Sequence, residues 1–149
     1  VNAQGPLYSS PQTRCSVRVE VSQRADIIRE PQGTLYSPQY KDILPFEVRT
    51  ISLEEAAAEK IRALMKRNSA RDVYDLDFLL KKGFKPSLTL IDSKLGYYKE
   101  KFSFREFKRR IREKQGVWES ELRVLINRKP EEFRAVEKRI TEAFEKMQE

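Results

Sequence analysis

Apolar and polar residues alternate strictly from Cys15 to Ser22. Cys15, Val17, Val19 and Val21 fall on one side, and Ser16, Arg18, Glu20 and Ser22 on the other. A period of two with β-branched residues predicts a strand over 15–22, with Cys15 on its apolar side as a small buried hydrophobe. Residues 1–13 are rich in proline, glycine and hydroxyl side chains and read as an extended lead-in. Pro31, Gly33 and Pro38 mark a turn-rich stretch before a second strand, predicted over 46–51.

At Ser52 the period becomes helical. Ser52-Leu53-Glu54-Glu55 is a capping box, a hydroxyl at the cap and a carboxylate at the third helical position. The helix is predicted to run to Arg67, where Asn68-Ser69 interrupt it. Ser69 caps the next helix, over 70–82, which stops at Gly83. Pro86 starts a third, with Leu88, Ile91, Leu95 and Tyr98 at helical spacing. Phe104, Phe107 and Ile111 mark a fourth. Trp118, Leu122, Leu125 and Ile126 mark a fifth, with Trp118 as a core anchor. Pro130 opens the last, with Phe133, Val136, Ile140, Ala143 and Met147 on one stripe.

These elements predict an α+β fold. A short, mostly antiparallel sheet over residues 1–51 is followed by a bundle of about six helices over 52–149. The first strand has an unpaired edge, so either a homodimer completes the sheet or the lead-in folds across it.

Composition narrows the chemistry. The chain has 149 residues and no histidine, which excludes a Ser-His-Asp triad, a Cys-His pair and any His-ligated zinc. A single cysteine, Cys15, excludes an internal disulfide and a Cys-cluster metal site. Carboxylates, lysines and arginines are left to act. Thirty basic against 23 acidic residues give a net charge of +7, which suits a phosphate-bearing partner. No apolar run spans a bilayer or resembles a signal peptide, so the chain is expected in the cytoplasm, off the membrane, with Cys15 reduced.

On a helical wheel, Lys60 and Arg67 sit at the edge of the apolar arc formed by Leu53, Ala57, Ile61, Leu64 and Met65. Glu55, Glu59, Arg62 and Lys66 take the opposite, solvated side. In the next helix Asp72 points with Val73, Leu76, Leu79 and Leu80, Asp75 lies on the rim, and Asp77 points away. Charges on core-facing arcs must be paired, metal-bound or shifted in pKa. Two readings follow. In one, Lys60 and Arg67 with Asp72 and Asp75 form ion pairs that pin a helical hairpin. In the other, Lys60 contacts phosphate while Asp72 or Asp75 orients it or helps hold a divalent metal.

Residues 52–64 (SLEEAAAEKIRAL), Arg67 and residues 71–76 (RDVYDL) resemble the second half of an AbiEii/AbiGii-type nucleotidyltransferase, a toxin component of toxin–antitoxin and abortive-infection systems. Residues 17–22 are similar to the strand that precedes this pair in the family. The resemblance covers residues 15 to 83. It implies a polymerase-β-like nucleotidyltransferase fold using an NTP and Mg²⁺. By position Lys60 is the motif lysine, Asp72 the motif aspartate and Asp75 its support. Arg67 and Arg71 are the phosphate-binding candidates, and Glu20 is the candidate metal carboxylate. The resemblance also implies nucleotide transfer to an acceptor, tRNA in some members, and restraint by a cognate antitoxin.

One family element is missing from the sequence. No Gly-Ser or Gly-Gly turn leads to a D-x-D strand, because Gly5 and Gly33 are the only glycines ahead of the helices and neither does so. Asp75-Leu76-Asp77 lies on a helix, where the two carboxylates diverge by about 200°. The chain, which begins at Val1, is therefore expected to be the C-terminal part of such an enzyme. It is expected to be inactive alone and to bind neither NTP nor Mg²⁺ tightly.

Other readings stay open. Residues 105–114 (REFKRRIREK) carry six basic and two acidic residues, so Lys108, Arg109, Arg110 and Arg112 are candidates for nucleic-acid contact, against a plain solvated face. A non-catalytic protein-interaction module is a further alternative, as is an enzyme that uses Lys60 and Asp72 without the first motif. Tyr97 and Tyr98 leave one ring free for the surface.

Overall fold

The computed structural model describes residues 2–5, 8–21, 23 and 26–146. Two antiparallel strand pairs lie ahead of the helices. β1 (Asn2–Ala3) pairs with β2 (Cys15–Ser16), and β3 (Gln32–Tyr36) pairs with β4 (Phe46–Thr50), Gln32 opposite Thr50 and Tyr36 opposite Phe46. The architecture is α+β with short antiparallel sheets, as the periodicity predicts.

The front departs from the expected strand in three ways. Among the described residues of the alternating segment only Cys15 and Ser16 join a ladder, and Val17, Val19 and Val21 are exposed. Ser22 lies outside the described residues. Alternation specifies which side chains share a face, but no described element covers this one, so the strand ends after two residues. Cys15 is exposed, not buried. In addition, β3 forms within the stretch expected to be turns. Its ladder to β4 and the tilted contact of Tyr36 with Phe46, centroids 5.4 Å apart, outweigh the glycine at Gly33.

Among the described residues the helices are α1 (Leu53–Lys66), α2 (Ala70–Lys81), α3 (Leu88–Gly96), α4 (Phe104–Arg112), α5 (Trp118–Arg123) and α6 (Phe133–Glu145). Ser52 caps α1 by accepting from the Glu55 backbone N–H at 3.2 Å. Ser69 stands at the cap of α2, yet its hydroxyl donates to Glu121 at 3.1 Å. Glu121 also accepts from the Ala70 N–H at 2.9 Å, so a carboxylate from α5 caps α2. Gly83, with φ of +88°, ends that helix in the left-handed region that glycine favours. α6 begins at Phe133 rather than Pro130, and α5 ends before Leu125, which is exposed. Met147 lies outside the described residues.

α1 is the hub, packing on α2, α3 and α4, while α6 closes the other side against α2 and α4. Ile61, Leu64, Leu76, Leu95, Ile111 and Ile140 are fully buried in one core. Phe107 and Phe144 stack obliquely, ring centroids 4.6 Å apart, with Phe102 beside both. Trp118 anchors the far end, its indole N–H donating to the Glu131 carbonyl at 2.9 Å. Leu53, expected in the buried arc, is exposed.

Candidate functional site

α1 and α2 are joined by three residues, so the end of one helix and the start of the next lie side by side. That connection brings together the charges that both helices turn inward. Asp72 is fully buried, and Arg67 donates to both of its oxygens, from Nε at 2.6 Å and from Nη2 at 2.7 Å. Fork-on-fork pairing of this kind fixes orientation as well as charge. The hydrogen bond with Asp72 raises the Arg67 pKa above its ordinary value, burial opposing it and the charges of Asp72 and Asp75 adding to it.

Lys60 stands in front of the pair. Its Nζ lies 2.5 Å from Asp75 Oδ2 and 3.9 Å from Asp72 Oδ1, and its side chain keeps 35% of its exposure. The four residues that the wheels place on inward edges thus form one cluster, buried at Asp72 and open at Lys60, Arg67 and Asp75. Arg71 is exposed at the start of α2.

Glu20 is not built into this cluster. It is exposed and its carboxylate pairs with Arg18 at 2.8 Å. Among the described residues, no group of three or more acidic or cysteine side chains is placed to hold a metal ion. The carboxylates in the cluster are already engaged, Asp72 by Arg67 and Asp75 by Lys60, so these residues do not form a metal site.

The basic segment on α4 is tied to acids of this chain. Glu106 accepts from Arg109 and from Arg110 Nε, the latter at 3.0 Å, and Glu113 accepts from Arg109. Arg112 Nε donates to Glu137 at 2.7 Å. Lys108 lies 3.8 Å from Glu145 and 4.4 Å from the Phe104 ring centroid. Of the tyrosine pair, Tyr97 is the exposed ring, while Tyr98 accepts from Arg62 at 3.1 Å.

Among the described residues four charged side chains occupy the interior unannounced by the wheels: Glu55, Lys94, Asp77 and Lys114. Glu55, expected on the solvated side of α1, is fully buried. It accepts from the backbone N–H groups of Ile28 and Arg29 at 2.8 and 2.9 Å and pairs with buried Lys94 at 2.6 Å. Burial pushes the Glu55 carboxyl up, but the bonds from Lys94, Ile28 and Arg29 outweigh it and leave its pKa below the usual value. Lys94, which also reaches Glu59 at 3.0 Å, is raised because those two carboxylates outweigh its own burial.

Asp77 is the second correction. It is buried rather than pointing away, paired to Lys81 at 2.7 Å and to Arg139 from α6.

Lys114 is the last of the four. Its ammonium is fully buried and has no hydrogen-bond partner among the described residues, with Glu113 4.0 Å away. Burial pushes its pKa below the lysine range; the carboxylates of Glu113 and Asp72 pull it back up, and Arg110 and Arg109 oppose them. One signal was available in the sequence, since Lys94 sits between Ile91 and Leu95. The capping-box reading of Ser52-x-x-Glu55 did not supply another, because the Glu55 carboxylate turns to Ile28, Arg29 and Lys94 rather than to the Ser52 N–H.

A family model described as the AbiEii nucleotidyl transferase toxin of a type IV toxin–antitoxin system matches residues 3–147. No curated protein and no solved structure was found to match the chain. The match spans nearly the whole sequence, and the chain belongs to the AbiEii nucleotidyl transferase toxin family.

Proposed function

We propose that the cluster around Lys60 in this AbiEii-family chain is the phosphate-binding half of a nucleotidyl-transfer site. We propose also that the chain by itself transfers no nucleotide. The observation that carries the first statement is the geometry of Lys60. A half-exposed ammonium is held between a fully buried Asp72 and a half-exposed Asp75. A lysine needed only to neutralise Asp72 has little to do there, since Arg67 already engages both oxygens. Arg67 keeps Nη1 free of any bond among the described residues and its side chain largely exposed, so both cations have N–H groups to offer a phosphate.

In this reading Asp72 fixes the guanidinium, Asp75 holds Lys60 at the surface, and exposed Arg71 extends the positive edge. The NTP is the substrate whose phosphates meet that edge, a tRNA is the acceptor, and a cognate antitoxin restrains the activity. Mg²⁺ supplies charge neutralisation in such chemistry, but the described residues of this chain make no site for it. The absence of a glycine turn leading to a D-x-D strand supports the second statement. Residues 1–51 are read as the sheet part of the unit and 52–149 as its helical part.

The test uses the purified chain, α-labelled NTPs, Mg²⁺ and tRNA. No label is expected on the tRNA or on the chain. Label that appears with the wild-type chain and disappears in Lys60→Ala would show a complete site and overturn the second statement.

A further inference from the structure

The opposite side of α2 carries a separate opening. A cavity of about 400 Å³ lies between α2, the start of α5 and the segment that leads into α6. Tyr74, Phe78, Trp118 and Ile126 are among its apolar lining, and Arg128 and Lys129 line it together with Asp77, Lys81 and Glu131. Phe78 is half exposed, with the Lys82 ammonium 5.5 Å from its ring centroid.

The charges around this cavity do not balance. Asp77, Lys81, Glu131 and Arg139 close on one another: Lys81 pairs with Asp77 at 2.7 Å and with Glu131 at 2.8 Å, and Arg139 pairs with both acids. That ring is neutral in sum. Arg128 and Lys129 have no ion pair or hydrogen bond among the described residues, so two cations adjacent in sequence remain uncompensated in its lining. The ligand that fits is flat and aromatic at one end and anionic at the other. Aromatic faces take bases regardless of sequence, and paired cations take phosphate.

We propose that this cavity is a nucleotide pocket, distinct from the Lys60–Asp72 cluster, with the base against Phe78 and Tyr74 and the phosphate on Arg128 and Lys129. Its volume suits one nucleotide. The nucleotide is supplied either free or as the end of an RNA strand, which present the same chemistry. The pocket does not depend on the Lys60 cluster being functional, because the two lie on different faces of α2.

Trp118 is the only tryptophan in the chain and lines the cavity, so its fluorescence reports on occupancy. The full chain is titrated with AMP, adenosine, ribose 5-phosphate and a short oligoribonucleotide. A saturable Trp118 response to AMP is expected, weaker by about tenfold or more for adenosine and for ribose 5-phosphate. Arg128→Glu with Lys129→Glu abolishes the response while the circular dichroism spectrum and melting curve stay unchanged. Phe78→Ala removes the preference for AMP over ribose 5-phosphate. Lys60→Ala leaves the response intact, which separates this pocket from the proposed transfer site. Tighter binding of the oligoribonucleotide identifies a strand end as the source, and equal binding identifies the free nucleotide. The proposal is overturned if neither AMP nor the oligoribonucleotide gives a saturable response up to about 10 mM. It is overturned equally if the response survives the double charge reversal, or if ribose 5-phosphate matches AMP.

Discussion

Arg67 holds both carboxylate oxygens of Asp72, yet the two residues stand in opposite surroundings: Asp72 is fully buried and the Arg67 side chain is 59% exposed. Removing the exposed member strands a buried anion, whereas neutralising the buried member leaves a cation that water can resolvate. Arg67→Met is therefore expected to destabilise the fold by about 2 kcal/mol, discounted from a fully buried pair because Lys60 can still approach. Asp72→Asn should cost less, about 1 kcal/mol. Urea denaturation of both variants checks the order, and a larger loss for Asp72→Asn would show that the carboxylate organises more than this pair.

Glu55 and Lys94 form the most deeply buried ion pair among the described residues and tie residues 28–29 to α1 and α3. Lys94→Met leaves Glu55 buried beside two backbone donors and is expected to cost about 3 kcal/mol. The pair also sets a pH dependence. Glu55 has a folded pKa below its unfolded value, so its contribution is complete above the ordinary carboxylate pKa of about 4.3 and is lost as pH falls through the folded value. Lys94 is shifted the other way, so its contribution is complete below about 10.4 and fades as pH rises through its higher folded value. Thermal melts of Glu55→Gln across acid pH should show a flatter fall than those of the wild type.

Lys114 should behave in the reverse sense. An ammonium without a hydrogen bond in the interior opposes folding, and a linear apolar side chain of similar size does not. Lys114→Met is expected to stabilise the chain by about 1 kcal/mol. Because its folded pKa lies below the unfolded one, the unfolded chain binds the proton more readily. Wild-type stability therefore gains a rising term with pH in the window that ends near about 10.4. Denaturation midpoints between neutral and alkaline pH should lack that term in Lys114→Met. A destabilised Lys114→Met would mean that the ammonium is bonded in solution.

The carboxylate cap on α2 is an interaction between helices rather than within one. Glu121→Ala removes the acceptor for the Ala70 N–H and for Ser69, at an expected cost of about 1 kcal/mol. Hydrogen exchange should then quicken at the first turn of α2 more than at α1.

The helical half of the fold was legible because its helices carry apolar stripes, as Phe104, Phe107 and Ile111 do through α4, and because Ser52 before α1 and Gly83 after α2 mark ends; the end of α5 and the start of α6 carry no such mark and were misplaced. The front was less legible for one physical reason. A strand exists only with a partner, and alternation at Val17, Val19 and Val21 says nothing about whether one is there. β3 was hidden by the reverse effect, since Gly33 and its flanking prolines look like turn residues until β4 pairs with them. At the cluster, a wheel could place Lys60, Arg67, Asp72 and Asp75 because all four are set by their own helices. It could not place Glu55 or Asp77, whose burial is decided by Lys94 and Arg139, partners distant in sequence.

Phosphate binding at Lys60 is tested most directly by the melting temperature of the wild-type chain and of Lys60→Met, with and without about 1 mM inorganic tripolyphosphate. The two proteins are expected to melt alike without ligand, and tripolyphosphate is expected to raise the melting temperature of the wild type and not of the variant. A Lys60→Met protein that melts far lower without ligand, or a wild type that tripolyphosphate does not shift, would reduce the cluster to a set of ion pairs pinning α1 to α2.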